Sequence, residues 1–170
     1  MKGGTEMEHR DVLMAIAQVA ATFIGFASVV FAVGRASVAG VNAPERTALI
    51  HLLLPSILVL FLAFAPVVAF AGISSESQVW RVANTVLGVI HLMLVSNATW
   101  VAIRSRLLEP VPLRLVLIPG GYLAVAANLA VAFGFLHDFA ALIYIAGLVW
   151  FLLVAAVQFV MLILLHEGAT

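Results

Sequence analysis

The positions of the charged residues constrain this chain more than any other feature. All eight basic and eight acidic residues fall at the ends of apolar segments, in connectors or in the tails. Between them lie five stretches without Asp, Glu, Lys or Arg: 12–34, 47–75, 82–103, 115–137 and 139–166. Each is at least as long as the roughly 20 residues with which an α-helix crosses a bilayer. The pattern predicts an integral membrane protein with five transmembrane helices.

The composition leads to the same expectation. Only 9% of the residues are charged, against about 25% in ordinary soluble domains. Hydrophobic residues make up 65% of the chain, and the mean hydropathy is +1.21. Such a chain cannot cover itself with solvated side chains, so we expect the lipid bilayer to surround it. The zero net charge gives no attraction for nucleic acid, and the lack of cysteine removes disulfide and thiolate chemistry.

The connectors between the apolar stretches are short and contain turn-forming residues. Gly40 and Pro44 lie in the first, and Pro110 and Pro112 lie in the third. Because short connectors place successive helices side by side and antiparallel, we expect one all-α transmembrane domain over residues 1–170. The predicted helices cover about 11–34, 46–73, 80–105, 114–136 and 139–166.

Basic residues in the short connectors predict the orientation. Five basic residues lie on one side of the predicted bundle and three on the other: Arg35, Arg46, Arg104, Arg106 and Arg114 against Lys2, Arg10 and Arg81. This distribution favours an N-terminus outside and a C-terminus inside, in a bacterial inner (cytoplasmic) membrane. The first helix has two basic residues on each flank, so its own flanks do not decide the orientation.

The first predicted helix carries a polar stripe beside a ridge of small residues. Gln18 and Thr22 fall on the stripe at helical spacing. Ala17, Ala21 and Gly25 form a small-x3-small ridge, which allows another helix to approach closely. The region is compatible with a helix-packing seam joined by interhelical hydrogen bonds and with one wall of a polar pocket.

Polar side chains also interrupt the later helices, and such side chains normally face protein rather than lipid. With Gln18 and Thr22 they form a predicted polar interior: Asn84, His91, Asn128, Tyr144 and Gln158. At a rise of about 1.5 Å per residue, Thr22 and His91 come near the bilayer centre. Whether the polar residues converge depends on helix rotation, which the sequence leaves open.

His91 is the one ionisable residue near the predicted midplane. A neutral histidine there can exchange hydrogen bonds with Asn or Thr on a neighbouring helix. The alternatives are a titrating group in a proton or ion path and a ligand for a bound group, of which haem b is a minor case. We predict no cofactor, no metal site and no catalytic residue.

Prolines inside apolar stretches predict kinks, because proline removes a backbone hydrogen bond. Pro55 and Pro66 fall in the second helix and Pro119 in the fourth. These kinks are compatible with shape complementarity in the bundle and with hinges that border a cavity.

Three kinds of function are compatible with these features. The first is an oligomeric channel or transporter that carries protons, ions or a small solute through a polar bundle interior. The second is a non-enzymatic accessory or assembly subunit of a larger membrane complex, and the third is a membrane-embedded haem or lipid binder. No connector is long enough for a soluble catalytic domain, and no catalytic motif with diagnostic spacing is present. We therefore favour a protein that is not an enzyme.

Overall fold

The computed structural model describes residues 2–36, 43–72, 75–105 and 111–167. Every regular element in these ranges is helical, which confirms the all-α prediction and the five helices. The helices are α1 (Lys2–Ala36), α2 (Ala43–Gly72), α3 (Glu76–Ser105), α4 (Val111–Ala132) and α5 (Ala140–Glu167), with a 3₁₀ turn at His137–Phe139 before α5.

Four of the described segments are long and apolar enough to cross a membrane: His9–Val29, Leu52–Gly72, Glu76–Arg104 and His137–Met161. The apolar part of α4, Val116–Ala132, is shorter. Segments of this kind indicate an integral membrane protein, because they satisfy their backbone hydrogen bonds internally and carry few charges.

The helix ends differ from the prediction in an instructive way. α1 begins at Lys2 and α3 at Glu76, both earlier than the apolar stretches indicate. Hydrophobicity marks only the part of a helix that suits lipid, whereas backbone hydrogen bonding continues into polar sequence. Glu76 lies in the first turn of α3, where a negative charge is favoured by the helix dipole.

The C-terminal end of α4 is set by a glycine. The prediction continued this helix to 136, but α4 ends at Ala132. Gly134 has a φ of 89°, and its N–H donates to the carbonyl of Val131 at 2.9 Å. The Phe135 N–H donates to the carbonyl of Ala130 at 2.9 Å. These two bonds with a left-handed glycine are a Schellman C-cap.

The chain divides into two compact units, with the divisions inside α2 and α5. The first unit comprises Met1–Phe64 and Phe151–Thr170. One cluster in its core is formed by Ala27, Leu49, Leu52 and Ala155, against which Phe23, Leu53 and Phe159 pack. The Phe159 ring lies 6.3 Å from the Phe23 ring and 5.9 Å from the Phe26 ring.

The second unit, Ala65–Trp150, contains α3, α4 and the first part of α5. α3 packs against α4, and glycines permit the close approach. A Cβ atom added at Gly88 would lie 3.2 Å from Cβ of Asn128, and one at Gly121 would lie 2.9 Å from Cγ2 of Val95. The indole of Trp150 occupies the space beside Gly120. This unit holds the candidate site.

Candidate functional site: a buried polar seam in the second unit

One face of α3 carries two of the polar residues that are buried in the second unit, Asn84 and His91. Trp80, Asn84, Leu87, His91 and Val95 recur at intervals of three or four residues and are all buried, which is the spacing of one helix face. The side chains of Asn84 and His91 are 0% and 2% exposed. This face forms the first side of a polar seam.

α4 and α5 complete the seam with Asn128 and Tyr144, which are 1% and 0% exposed. A Cβ atom added at Gly147 of α5 would lie 3.1 Å from Nδ2 of Asn128 and 3.6 Å from Cε1 of His91. Asn128 and His91 therefore flank the same glycine. The tight fit shows that the missing side chain at Gly147 is what lets the three helices meet here.

Asn84 joins α3 to the start of α5. Its Nδ2 donates to its own helix at the Trp80 carbonyl, 2.8 Å away, and to the Ala140 carbonyl, 3.0 Å away. Tyr144 lies one turn after Ala140, and its ring is 5.9 Å from the ring of Trp80. The four polar residues Asn84, His91, Asn128 and Tyr144, defined here as the polar seam, thus belong to one contiguous region.

The two seam amides use their donors but not their acceptors. Nδ2 of Asn128 donates to the Ala124 carbonyl at 2.7 Å, and both donor bonds of Asn84 also end on backbone carbonyls. The Oδ1 atoms of Asn84 and Asn128 are buried without a hydrogen-bond partner. A buried acceptor without a donor costs about 1–3 kcal/mol. The seam therefore has unused capacity to accept hydrogen bonds.

A cleft opens at the end of the second unit where α3 begins. It has a volume of about 300 Å³ and is bordered by α3, the turn after α4 and the start of α5. Its lining residues are Glu76, Ser77, Gln78, Trp80, Arg81, Val131, Gly134, His137 and Ala140. Trp80 and Ala140 are also the two carbonyl partners of Asn84, so this rim cleft lies next to Asn84, at one end of the polar seam.

Arg81 holds one wall of the rim cleft in place. Its Nε donates to the carbonyl of Ala132, the last residue of α4, at 2.6 Å. A cation at a helix C-terminus is stabilised by the carbonyl groups that end there. His137 also lines the cleft, and its Nε2 lies 3.1 Å from Oδ1 of Asp138, with both side chains exposed.

The other predicted polar residues belong to the first unit. Gln18 and Thr22 are exposed, and the Thr22 hydroxyl donates to the Gln18 carbonyl of the same helix at 2.9 Å. A threonine can satisfy its hydroxyl in this way without an interhelical partner. Gln158 is buried. The structure thus brings Asn84, His91, Asn128 and Tyr144 together in the second unit.

The predicted ridge and hinge residues lie in different environments. Of the ridge on α1, Ala17 is buried, whereas Ala21 and Gly25 are exposed, and a Cβ atom at Gly25 would meet nothing within 4 Å. The prolines of the prediction are Pro55 and Pro66 inside α2, both buried, and Pro119 inside α4, which is exposed.

The chemistry that the seam can support is limited by its donor set. Among the described residues, no group of three His, Cys, Asp or Glu side chains could hold a metal ion. Gly147 of α5 lies close to the His91 imidazole, since a Cβ atom there would be 3.6 Å from Cε1, so a haem on that side of His91 would require displacement of α5. The seam is suited instead to hydrogen bonding with small uncharged groups.

Sequence reasoning missed the rim cleft and the role of the glycine at the end of α4. The cleft depends on Gly134, which lies between Phe133 and Phe135 in the sequence. A glycine after a long apolar run is the usual signal of a helix C-cap, and it would have placed the end of α4 correctly. The link from Arg81 to Ala132 had no signal in the sequence, because it joins residues 51 positions apart.

Comparison with known proteins gives no further guide to function. No protein-family model matches the sequence, and searches against curated proteins and solved structures found no match. The functional interpretation therefore depends on the polar seam and the rim cleft.

Proposed function

We propose that this protein forms a pathway through the membrane for protons or a small polar solute, by way of the polar seam. The proposed arrangement is a single bundle in which all five helices cross a bacterial inner membrane, with the N-terminus outside. The proposed pathway requires neither enzymatic activity nor a bound cofactor.

The observation that carries the proposal is that the rim cleft adjoins Asn84, because Trp80 and Ala140 line the cleft and their carbonyls accept hydrogen bonds from Asn84. Asn84 lies about 4.5 Å further along α3 than Arg81, and His91 about 10 Å beyond Asn84, at the helical rise per residue. The unpaired Oδ1 atoms of Asn84 and Asn128 cost free energy in a membrane interior, and polar residues there commonly mark a substrate path. A purely structural seam would be more stable with apolar side chains of the same size.

The seam composition favours some permeants over others. Among the residues whose burial the structure describes, the buried polar side chains are Ser56, Asn84, His91, Asn128 and Gln158, and none is Asp, Glu, Lys or Arg. Ion-coupled transporters usually rely on such residues. A proton relayed through His91 or a neutral solute fits the seam better than a metal cation does.

Homo-oligomerisation is part of the proposal, because one such unit is small for a solvated path. The exposure of Ala21 and Gly25 supports homo-oligomerisation, because this part of the small-residue ridge on α1 has no described helix of the same chain packed against it at Gly25. Helices in lipid associate closely through such ridges. Gly25→Leu should weaken self-association in a crosslinking assay in nanodiscs, whereas Val19→Leu, at an exposed position on another face of the same helix, should not.

Flux into proteoliposomes tests the pathway. His91→Ala should lower proton or solute flux by about tenfold or more, because it removes the only imidazole of the seam. Asn97→Ala is a matched control, since Asn97 is exposed on the same helix. Flux equal to that of empty liposomes at every pH, or unchanged in His91→Ala, would contradict the proposal.

A second function is favoured by the close packing around Gly147. A Cβ atom there would lie 2.8 Å from Cδ2 of Leu87, which is the packing expected of a static helix interface. This observation supports an accessory subunit that only holds partner membrane proteins. Purification in mild detergent distinguishes the two: a stoichiometric partner protein supports the accessory role, and a homogeneous homo-oligomer supports the pathway.

A further inference from the structure

We infer that the polar seam binds small, neutral molecules that donate hydrogen bonds through N–H or O–H groups. The inference names the chemical class of the solute in the proposed pathway. Its relevance to transport rests on the proposed function, whereas binding itself does not. It depends on Asn84 and Asn128, the two buried amides whose hydrogen-bonding capacity is used on one side only.

The chemical class of the ligand follows from which hydrogen-bonding groups of the two amides are unused. Each seam amide already donates from Nδ2 to a backbone carbonyl, at 2.7 to 3.0 Å. What each has left is its Oδ1, buried and without a donor. Two acceptor positions remain, about one helical turn apart, because Gly88, which contacts Asn128, follows Asn84 by four residues. A molecule that only accepts hydrogen bonds would gain nothing from either position.

Cations are poorer candidates than neutral donors. Amide oxygens do coordinate cations, but Ca²⁺ requires about six to eight oxygen ligands and Mg²⁺ about six. The seam offers two unused side-chain oxygens, and Asn84, His91, Asn128 and Tyr144 include no carboxylate to balance a charge. A neutral donor needs only one acceptor per N–H or O–H and carries no desolvation cost for a charge.

The rim cleft provides the route of entry. Its volume of about 300 Å³ accommodates a molecule of a few heavy atoms. Its lining includes Trp80 and Ala140, the carbonyl partners of Asn84. Asn84 is therefore the first acceptor that a solute would meet below the cleft, and Asn128 the second.

Two isomers provide a matched pair of probes. Propionamide and N,N-dimethylformamide have the same formula, but propionamide has two N–H donors and N,N-dimethylformamide has none. The experiment uses the full chain in lipid nanodiscs, labelled with ¹³Cγ-asparagine. The sequence contains four asparagines, Asn42, Asn84, Asn97 and Asn128, so four carbonyl resonances are expected. Conservative Asn→Gln variants assign them one at a time.

The expected result is a saturable shift of the Asn84 and Asn128 resonances with propionamide. N,N-dimethylformamide should shift neither, and Asn97, exposed on the same helix, should show no saturable change with either isomer. Equal shifts with the two isomers would overturn the inference. The absence of any saturable shift would also overturn the inference, because it would mean that propionamide does not bind to either Oδ1 in competition with water.

Flux measurements with the same isomers separate this inference from the proposed function. Selective shifts without flux would leave the donor site standing and refute the pathway. Flux that does not distinguish propionamide from N,N-dimethylformamide, after correction for empty liposomes, would retain the pathway and refute the donor class. Asn84→Leu should reduce propionamide flux several-fold, and Asn97→Leu serves as its control. Wild-type shifts test binding even if Asn84→Leu does not fold.

Discussion

Gly147 offers the sharpest test of how the seam is packed. Replacement by alanine adds a Cβ atom 2.8 Å from Cδ2 of Leu87 and 3.1 Å from Nδ2 of Asn128. A separation below 3 Å forces one of the neighbours to move. Leu87 is fully buried, so its side chain must leave its favoured rotamer, at about 0.5–1.5 kcal/mol.

The displaced amide adds a second cost. If Nδ2 of Asn128 moves away from the Ala124 carbonyl, the protein loses a hydrogen bond worth about 1 kcal/mol. Against these costs stands the gain of up to about 1 kcal/mol from replacing a helical glycine by alanine. The balance predicts that Gly147→Ala lowers the free energy of unfolding by about 1 kcal/mol.

Gly25→Ala is the matched control, because a Cβ atom there meets nothing within 4 Å. Both variants are measured by unfolding in mixed micelles with increasing denaturing detergent, followed by tryptophan fluorescence. Gly25→Ala should be as stable as the wild type or slightly more stable. If Gly147→Ala matched or exceeded the wild type, the close packing of Leu87, Asn128 and Gly147 would be refuted.

Three further variants test the frame of the site. Arg81→Gln should lower the free energy of unfolding by about 1 kcal/mol, because it removes a charge-assisted hydrogen bond to the Ala132 carbonyl at an exposed site. Thermal unfolding measures the loss, and Arg81→Lys should restore part of the stability. Gly134→Ala should lose about 1–2 kcal/mol, since φ is 89°, and Gly134→Asn should lose less in the same assay. Gly120→Ala should displace the Trp150 indole and shift its fluorescence emission, and an unchanged spectrum would contradict the contact.

Much of the fold could be predicted from the charge pattern alone, because lipid excludes charge so strongly. Five charge-free stretches correspond to the five helices. The end of α4 could not be placed in this way, because residues 133–136 are as apolar as the helix before them. There the backbone conformation of Gly134, not hydrophobicity, ends the helix.

The candidate site was predictable only in part. Asn84, His91 and Asn128 were identified because buried polar residues are rare in lipid, and the structure places them in one seam. Gln18 and Thr22 have the same sequence character, yet they are exposed. The difference is helix rotation, which is set by packing partners far away in the sequence. Thr22 also has a hydrogen-bond acceptor within its own helix, so its chemistry does not require burial.

The short apolar part of α4 has a consequence for the membrane around the protein. Between Arg114 and its last residue, Ala132, α4 has 18 residues without charge, which span about 27 Å at 1.5 Å per residue, somewhat less than the roughly 30 Å of a typical hydrocarbon core. Phe133 and Phe135, 72% and 79% exposed, extend its apolar surface beyond the last helical turn. If α4 crosses the bilayer, hydrophobic mismatch draws the two leaflets together beside it. Stability would then depend on acyl-chain length and be greater in 14-carbon than in 18-carbon lipids, at a fraction of a kcal/mol per Å.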